Sequence, residues 1–217
     1  MLRVLMFLAL ASDVLLGGQL NPVLTPQKSP KPSLPKIDEN ACPFEGCQFG
    51  KWTARERVPI YSTWKLERKL LRTLSKGEAV TALTGIHVTF APSEIEVTAP
   101  MPQYGLKPGD TIFGYMNIGE GFFSAWFNGY WVGEFEGGGI EGPNGSGCRR
   151  NCTAKLLKPA RSDWWVQIKT KDGTIGWTKD GNKFDGTDAL ASSGGGEPGS
   201  LLDVHQALFS NSTACLI

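Results

Sequence analysis

Cysteines are the residues of this chain whose spacing points most directly to chemistry. Cys42 and Cys47 form one close pair, Cys148 and Cys152 form a second, and Cys215 is left over. In an oxidising compartment such pairs form disulfides, and a loop this short contributes about 2 kcal/mol through loop entropy. Pairing within each pair is the simplest connectivity, whereas cross-pairing would tie two distant regions together. The alternative is a structural zinc site of four thiolates, although the spacings are looser than usual.

Acidic residues and histidines offer weaker chemistry. Two carboxylate pairs occupy alternate positions of apparent strands: Glu94 with Glu96, and Glu134 with Glu136. Such pairs can supply the acid and the base of glycoside hydrolysis, but they are also common on solvated strand faces. His87 alternates with apolar neighbours, so we expect a surface or packed histidine. The chain has no phosphate-binding loop and no dinucleotide-binding glycine pattern, so no cofactor is expected. We predict that the protein is not an enzyme, with a secreted hydrolase as the alternative.

Aromatic side chains make the strongest case for function, because they exceed what a small core needs. The candidates for contact with a ligand are Trp126, Trp131, Trp164, Trp165, Trp177 and Tyr115. Adjacent Trp164 and Trp165 point to opposite faces of a regular strand, so one is at least partly exposed unless the inserted segment covers it. An exposed indole suits stacking on a sugar or a proline-rich peptide. Nucleic acid is not an expected partner, since no basic groove accompanies these rings.

Charge balance and the N-terminal residues bear on location. The 217 residues carry a formal net charge of +1, so no global field attracts nucleic acid or an anionic membrane. Residues 1–19 place Arg3 before a compact apolar run and small residues that suit cleavage, which is typical of an export signal. The run is too short for a membrane span, which needs about 20 apolar residues. We therefore predict export to a periplasmic or extracellular space, without a stable membrane span.

Changes in composition divide the rest of the chain. Residues 20–40 contain a dense series of prolines and are predicted to form an extended, poorly ordered spacer. Residues 41–190 hold the strand-like segments of one β-domain, and a hydrophobic fraction of 41% is enough for a sizeable core. Residues 191–217 form a Gly/Ser-rich tail that includes a candidate short helix. Both ends of the chain are expected to be disordered.

Two hairpins are the clearest local structures. In one, residues 164–170 and 174–178 form strands joined through Asp172-Gly173, which favours a tight primed turn. In the other, aromatic strands flank Asn128-Gly129, which is among the most reliable hairpin sequences. Upstream, residues 78–83 alternate as a strand that Thr84-Gly85 would end. Residues 70–74 suit a strand but also one face of a helix, so both assignments are open there.

Three segments together resemble the bacterial Src-homology-3-like domain family. They are Val58-Pro59-Ile60-Tyr61, then Leu74-Ser75-Lys76-Gly77-Glu78-Ala79-Val80, and then Trp165 to Trp177 with its Asp-Gly turn and Gly-Trp end. The resemblance covers residues 58–83 and 163–179, with a long insert at about 84–162 that carries its own aromatic hairpin. It implies an all-β fold, in which a small barrel of this family is elaborated by a long β-hairpin insert.

The resemblance also bears on function. It implies an exported binding module, of the kind that often binds cell-wall peptide or glycan, and it carries no catalytic residue across. The sequence therefore predicts a non-catalytic module that recognises cell-wall peptide, glycan or a partner protein through exposed aromatic side chains. A secreted hydrolase that uses the acidic residues and a zinc-stabilised structural module are the alternatives.

Overall fold

A computed structural model describes residues 26–191, and the regular secondary structure of this range is almost entirely β-strand. The strands in chain order are β1 (Gln27–Lys28), β2 (Lys36–Glu39), β3 (Gly50–Ala54), β4 (Val58–Tyr61), β5 (Leu70–Leu74), β6 (Ala79–Ala91), β7 (Ser93–Val97), β8 (Thr111–Gly119), β9 (Phe122–Phe127), β10 (Tyr130–Glu136), β11 (Ile140–Glu141), β12 (Ala154–Lys158), β13 (Arg161–Thr170), β14 (Ile175–Thr178) and β15 (Phe184–Asp185). The helical elements of this range are three short 3-10 turns at Pro102–Tyr104, Pro143–Gly145 and Gly181–Lys183. The predicted all-β fold is confirmed.

Some sequence predictions fall outside the described residues. These are the export signal at residues 1–19, the first part of the spacer, the tail after residue 191 and Cys215, which belongs to neither close cysteine pair. Within residues 26–191, none of the helical turns approaches the length and apolar character that crossing a membrane requires.

The strands that flank the insertion form one sheet, called sheet I. Its order is β15-β3-β6-β13-β14-β4-β5, and β2 also pairs with β6. β6 and β13 lie at its centre and pair antiparallel, from Val80 opposite Thr170 to Ala91 opposite Arg161. The chain before the insertion is thus joined directly to the chain after it, as expected. Leu70–Leu74 is a strand paired with β4, so the helix alternative for these residues is wrong.

Sheet I has a core on one face and a smaller apolar cluster on the other. The core includes Trp52, Val58, Ile60, Leu74, Ile168 and Phe184. The smaller cluster contains Ile86, Val88 and Trp165. Because neighbouring residues of β13 alternate between these two groups, both faces of the central strands are covered. In the hydrogen-bonded order β15 and β5 are the edges, so sheet I is a curled sheet with open edges.

β6 does not end at Thr84-Gly85, as the sequence predicted, but continues well into the insertion. The register opposite β13 shifts by one residue at Leu83, and the strand then resumes. Packing explains the glycine: a Cβ atom on Gly85 would lie 2.1 Å from the Ala41 carbonyl oxygen and 2.6 Å from Trp164 Nε1. Gly85 therefore marks a close approach of two chain segments rather than the end of a strand.

Both predicted hairpins are present. At Asn128-Gly129 both residues have positive φ, 47° and 86°, as a type I′ turn requires. The β13–β14 connection differs, because Gly173 has a φ of 88° whereas Asp172 stays outside the left-handed region. Thr170 and Thr174 close this loop, with the Thr170 N–H donating to the Thr174 carbonyl at 2.9 Å. The primed turn predicted there is wrong, because a three-residue loop needs positive φ only at its last position.

The insertion forms a second sheet, called sheet II, in the order β1-β10-β9-β8-β7-β12-β11. Six of these seven strands belong to the insertion, which is therefore larger than the predicted hairpin. Its inner face has a separate core, which includes Ile95, Ile112, Phe123, Phe127, Phe135 and Ile140. Since a hairpin alone is marginally stable, the additional strands β7, β8 and β12 are what allow the insertion to bury a face of its own.

Part of the predicted spacer is bound to the fold. β1 pairs with β10 of sheet II, and β2 pairs with β6 of sheet I, so residues 26–40 bridge the two sheets. None of these residues is fully buried. The prediction of a poorly ordered spacer is thus corrected for residues 26–40. The short stretches between the prolines retain their N–H groups and can pair with strands that the sequence alone does not place beside them.

Candidate functional site

The six aromatic residues predicted to contact a ligand do not form one surface. Trp126, Trp131 and Tyr115 lie on the outer face of sheet II; Trp164 lies against the core of sheet I; Trp165 and Trp177 lie on the opposite face of sheet I. Each group has a different exposure and different neighbours. The candidate site is therefore decided by which rings remain accessible.

Trp164 is half-buried against the core of sheet I. Its indole N–H donates a hydrogen bond to the Ala41 carbonyl at 2.9 Å. Its ring meets the Phe44 ring edge-on, with 5.6 Å between the ring centres. The polar edge of Trp164 is thus used inside the protein, and the ring holds the Cys42–Cys47 loop against the sheet.

Trp165 points to the opposite face, as strand alternation predicts, yet it is only 3% exposed. The chain after β4 folds back over it. Tyr61 lies edge-on with 6.1 Å between ring centres, and the Arg68 guanidinium lies 5.0 Å from the Trp165 ring centre. Sequence alternation could not reveal this cover, because it depends on the path of residues 62–69. Trp165 is the floor of an aromatic cluster and does not itself face solvent.

Three partly exposed rings surround this floor and form what we call the Trp177 surface: Tyr61, Trp64 and Trp177. Trp177 on β14 lies opposite Tyr61 on β4 in the strand register, so the two side chains are cross-strand neighbours on one face. The Arg68 guanidinium lies 5.5 Å from the Tyr61 ring centre. Tyr61 and Trp64 were absent from the predicted contact residues. Their aromatic character was the only sequence feature that could have indicated them.

Apolar and basic side chains continue the Trp177 surface. Leu66, in the same loop as Trp64, is 93% exposed. The Lys65 ammonium lies 5.8 Å from the Trp64 ring centre. Rings, an exposed leucine and cations in one region suit a ligand that offers both ring faces and anionic groups.

The outer face of sheet II is covered by residues 26–36, which we call the N-terminal strap. The Trp126 indole N–H donates to the Ser29 carbonyl at 2.9 Å. The Lys31 ammonium lies 3.2 Å from the Phe113 ring centre and 5.6 Å from the Trp126 ring centre. Trp126 is therefore already in contact with a segment of its own chain. Phe113 and Lys31 were not predicted, because nothing local in the sequence places the strap on this face.

Tyr115 and Trp131 occupy the part of this face that meets sheet I. Tyr115 is fully buried, and its ring centre lies 5.4 Å from that of Trp131. The Tyr115 hydroxyl has no hydrogen-bond partner among the described residues, and burial raises its pKa to about 12. The Lys36 ammonium lies 4.9 Å from the Trp131 ring centre and pairs with Asp38. Tyr115 thus makes interior contacts rather than facing a ligand.

Buried polar groups link the two sheets near Tyr115. His87 on β6 is 3% exposed and lies opposite Asp38 of β2. Burial lowers the pKa of His87 to about 4, and the Asp38 carboxylate only partly opposes this. The Thr89 hydroxyl lies 3.4 Å from His87 Nδ1 and donates to the Tyr115 carbonyl at 3.1 Å. His87 is therefore a packed histidine at the contact between the sheets, and it has no thiol or serine partner among these contacts.

The carboxylates are distributed over two places. Glu94 lies on the outer face of sheet II, opposite Phe113, and pairs with Lys158 at 2.9 Å. Glu134 belongs to an irregular part of β10 and, with Glu45 and Glu120, lines an open cleft of about 330 Å³ beside the Cys42–Cys47 loop. Within the described residues, this cleft is an open space that three carboxylate side chains line.

The four cysteines of the described range form two local pairs. Cys42 and Cys47 are at disulfide distance with 5.5 Å between Cα atoms, and Cys148 and Cys152 likewise with 5.6 Å. The simplest predicted connectivity is confirmed. This pairing is incompatible with both cross-pairing and a four-thiolate zinc site. Within residues 26–191, no group of three or more His, Cys, Asp or Glu side chains is placed to hold a metal ion.

Removing the first pair through Cys42→Ser with Cys47→Ser is expected to lower the free energy of unfolding by about 2 kcal/mol, the loop-entropy contribution of so short a loop. Denaturant unfolding of the oxidised protein measures this difference. Cys215→Ser is the matched control and should leave the value unchanged, because Cys215 belongs to neither pair. Titration of the denatured, unreduced wild-type protein should find at most one free thiol. Five free thiols would contradict the pairing.

Comparisons with protein-family models, with curated protein sequences and with solved structures find no match to this chain.

Proposed function

We propose that this protein is an exported, non-catalytic binding module that holds its ligand on the Trp177 surface. The observation that carries the proposal is the presence of three partly exposed rings side by side: Tyr61, Trp64 and Trp177. Monomeric proteins rarely place several large aromatic side chains together at the surface without a binding role. Trp165 beneath them gives these rings a packed base, which lowers the entropy lost when a ligand binds.

The ligand class follows from the side chains of this surface. Aromatic rings stack on the apolar faces of sugars and prolines, while Arg68 and Lys65 can pair with carboxylates. Cell-wall material carries sugar rings and peptide carboxylates in one molecule. We therefore propose cell-wall peptide or glycan as the first ligand to test, and a partner protein with an acidic, aromatic-binding segment as the second.

Export is supported by two independent features. The pairs Cys42–Cys47 and Cys148–Cys152 are compatible with an oxidising compartment, where disulfides persist. Residues 1–19 have the charge and apolar pattern of an export signal. A cell-wall ligand would be met in the same compartment, so location and ligand class agree.

A hydrolase is the second candidate, and the cleft lined by Glu45, Glu120 and Glu134 is the observation in its favour. Binding and hydrolysis are separated by following soluble product. A binding module retains cell-wall material without releasing reducing ends. Release of reducing ends that is lost in Glu134→Gln would establish the hydrolase instead.

Trp177→Ala is expected to weaken binding to purified cell-wall sacculi by about tenfold or more, because truncation of a central stacking ring removes a large part of the contact energy. Co-sedimentation with increasing amounts of sacculi measures the dissociation constant. Isotope-labelled protein with soluble wall fragments should show shifted indole resonances for Trp64 and Trp177.

Phe90→Ala is the matched control, since Phe90 is a 38% exposed aromatic residue outside the Trp177 surface. It should bind sacculi as the wild type does. Equal affinity of the wild type, Phe90→Ala and Trp177→Ala would overturn the assignment of this surface. Absence of binding by the folded wild-type protein would overturn the cell-wall ligand.

A further inference from the structure

The outer face of sheet II presents a row of aromatic rings across three adjacent strands. Phe113 on β8 lies opposite Trp126 on β9, and Trp126 lies opposite Trp131 on β10. Cross-strand neighbours of this kind share a face, and the Phe113 and Trp126 ring centres are 5.9 Å apart. This row is on the opposite side of the sheet from the core of sheet II. It is a continuous stacking platform distinct from the Trp177 surface.

The platform is occupied by the N-terminal strap. Lys31 places its ammonium over Phe113, 3.2 Å from the ring centre. Ser29 accepts the Trp126 indole hydrogen bond through its carbonyl and donates its own N–H to the Gly129 carbonyl at 2.8 Å. These contacts combine a cation over a ring with hydrogen bonds to a backbone carbonyl. Extended proline-containing ligands are held in the same manner on aromatic-lined grooves.

The strap is attached like a ligand rather than like a core strand. No residue of the strap is fully buried, and β1 contributes only two residues to sheet II. Three of the six residues from Pro30 to Pro35 are prolines, which have no N–H to donate. The middle of the strap is therefore held through Lys31 and through acceptor groups, not through a regular strand ladder.

Charge also matches a basic occupant. The strap carries Lys28, Lys31 and Lys36. The β7 strand next to the platform carries Glu94, opposite Phe113, and Glu96, opposite Thr111, on the same outer face. Cations are favoured both over aromatic rings and near carboxylates. Glu94 already pairs with Lys158 of β12, and Glu96 lies opposite Lys155, so the match to a lysine-bearing peptide comes chiefly from the ring beneath Lys31.

From this we infer that the platform of Phe113, Trp126 and Trp131 is a peptide-binding site for extended, proline-containing, lysine-bearing segments, with the strap as its intramolecular ligand. A partner chain that carries such a segment binds by displacing the strap. Because the strap is tethered, it competes at a high effective concentration, and the site is open to a partner only in the fraction of molecules with a released strap. The inference concerns a different surface from the proposed function and does not depend on it.

The test uses the full chain and a fluorophore-labelled peptide with the sequence of residues 26–36, PQKSPKPSLPK. Lys31→Glu places a carboxylate over the Phe113 ring in place of the ammonium, so it should release the strap. Acrylamide should then quench the fluorescence of the chain's seven tryptophans more strongly than in the wild type, and Trp126→Phe should remove this increase, which assigns it to Trp126. Fluorescence anisotropy should show peptide binding tighter by about tenfold or more. Adding Trp126→Ala to this variant should abolish the peptide binding. Lys31→Ala is measured in parallel. It removes the cation without adding a negative charge, so release of the strap can be observed even if the glutamate disturbs the fold.

Controls separate this site from unspecific charge effects and from the Trp177 surface. Lys76→Glu reverses an exposed lysine in the turn before β6 and should leave peptide binding as in the wild type. Trp177→Ala in the Lys31→Glu background should retain peptide binding, whatever it does to cell-wall binding. A peptide with glutamate in place of the lysine at position 31 should not bind.

Three outcomes would overturn the inference. Trp126 staying shielded in both Lys31 variants would show that Lys31 does not hold the strap. Failure of the peptide to bind a variant with an accessible Trp126 would show that the strap is a structural cover only. Binding of a soluble chito-oligosaccharide instead of the peptide would assign the platform to a glycan.

Discussion

Lowering the pH from 6.5 to about 4 is expected to remove about 3 kcal/mol from the free energy of unfolding. The cause is His87, which is buried at 3% exposure and has its pKa lowered from 6.5 to about 4 by that burial. Between these two values the unfolded chain binds a proton at this ring and the folded protein does not. The free energy of unfolding is therefore not reduced by His87 above pH 6.5, and it falls progressively as the pH is lowered from 6.5 to about 4.

Charged groups on the two neighbouring strands modify this balance. On β2, Asp38 raises the pKa of His87 and Lys36 lowers it; on β13, Asp163 raises it. The Thr89 hydroxyl beside Nδ1 is uncharged. Burial outweighs the carboxylates, so the ring stays neutral at neutral pH. Since Thr89 also bonds to the Tyr115 carbonyl of sheet II, a charged His87 should weaken the contact between the sheets first.

Denaturant unfolding at several pH values between 7.5 and 4 tests this expectation. His87→Gln removes the titration while keeping a polar side chain, and should flatten the dependence of stability on pH in this interval. His205→Gln replaces the chain's other histidine and is the matched control, which should keep the wild-type dependence. Asp172 affects only the lower end of the interval, because its pKa is 3.8 in the unfolded chain and the hydrogen bond from Thr170 lowers it to about 2 in the folded protein. An unchanged dependence in His87→Gln would show that another group is responsible.

Local sequence patterns predicted the strands well, because the interactions that determine them are close in the chain. Aromatic and β-branched residues around Asn128-Gly129 sufficed to predict the β9–β10 hairpin, and the same reasoning predicted β13 and β14. The pairing of β6 with β13 followed from matching the segments before and after the insertion. The error at Gly85 has a different origin. Its role is to admit Ala41 and Trp164, and both contacts come from other parts of the chain.

The solvent exposure of the aromatic side chains could not be predicted, because it depends on which segments, distant in the sequence, fold over them. Alternation placed Trp164 and Trp165 on opposite faces, but it could not show that residues 62–69 fold over Trp165. Nor could it show that the N-terminal strap lies over Trp126 and accepts its indole hydrogen bond. A proline-rich composition predicts an extended backbone, but it does not predict which surface of the protein that backbone contacts. The residue types of the candidate site were thus predictable, while the choice of the Trp177 surface needed the fold.

Trp165→Ala is expected to lower the free energy of unfolding by about 3 to 5 kcal/mol, the usual cost of removing a fully buried aromatic side chain. Trp165 packs with Ile86 and Val88 and supports Tyr61 and Arg68 from below. Its loss leaves a cavity under the loop of residues 62–69, and Arg68 loses one of the two rings that it contacts. The effect should therefore have a local component at that loop as well as a global one.

Two measurements distinguish this from an unspecific loss of stability. Denaturant unfolding gives the global change, and Trp177→Ala, a partly exposed ring of the same cluster, should cost only about 1 kcal/mol. Limited trypsin digestion under native conditions reports the loop, which offers cleavage after Lys65, Arg68 and Lys69. Trp165→Ala should be cut there much faster than either the wild type or Trp177→Ala. If the two substitutions destabilised the protein equally and left the loop equally resistant, Trp165 would not be the floor of the Trp177 surface, and the rigid base that the proposed binding surface depends on would be absent.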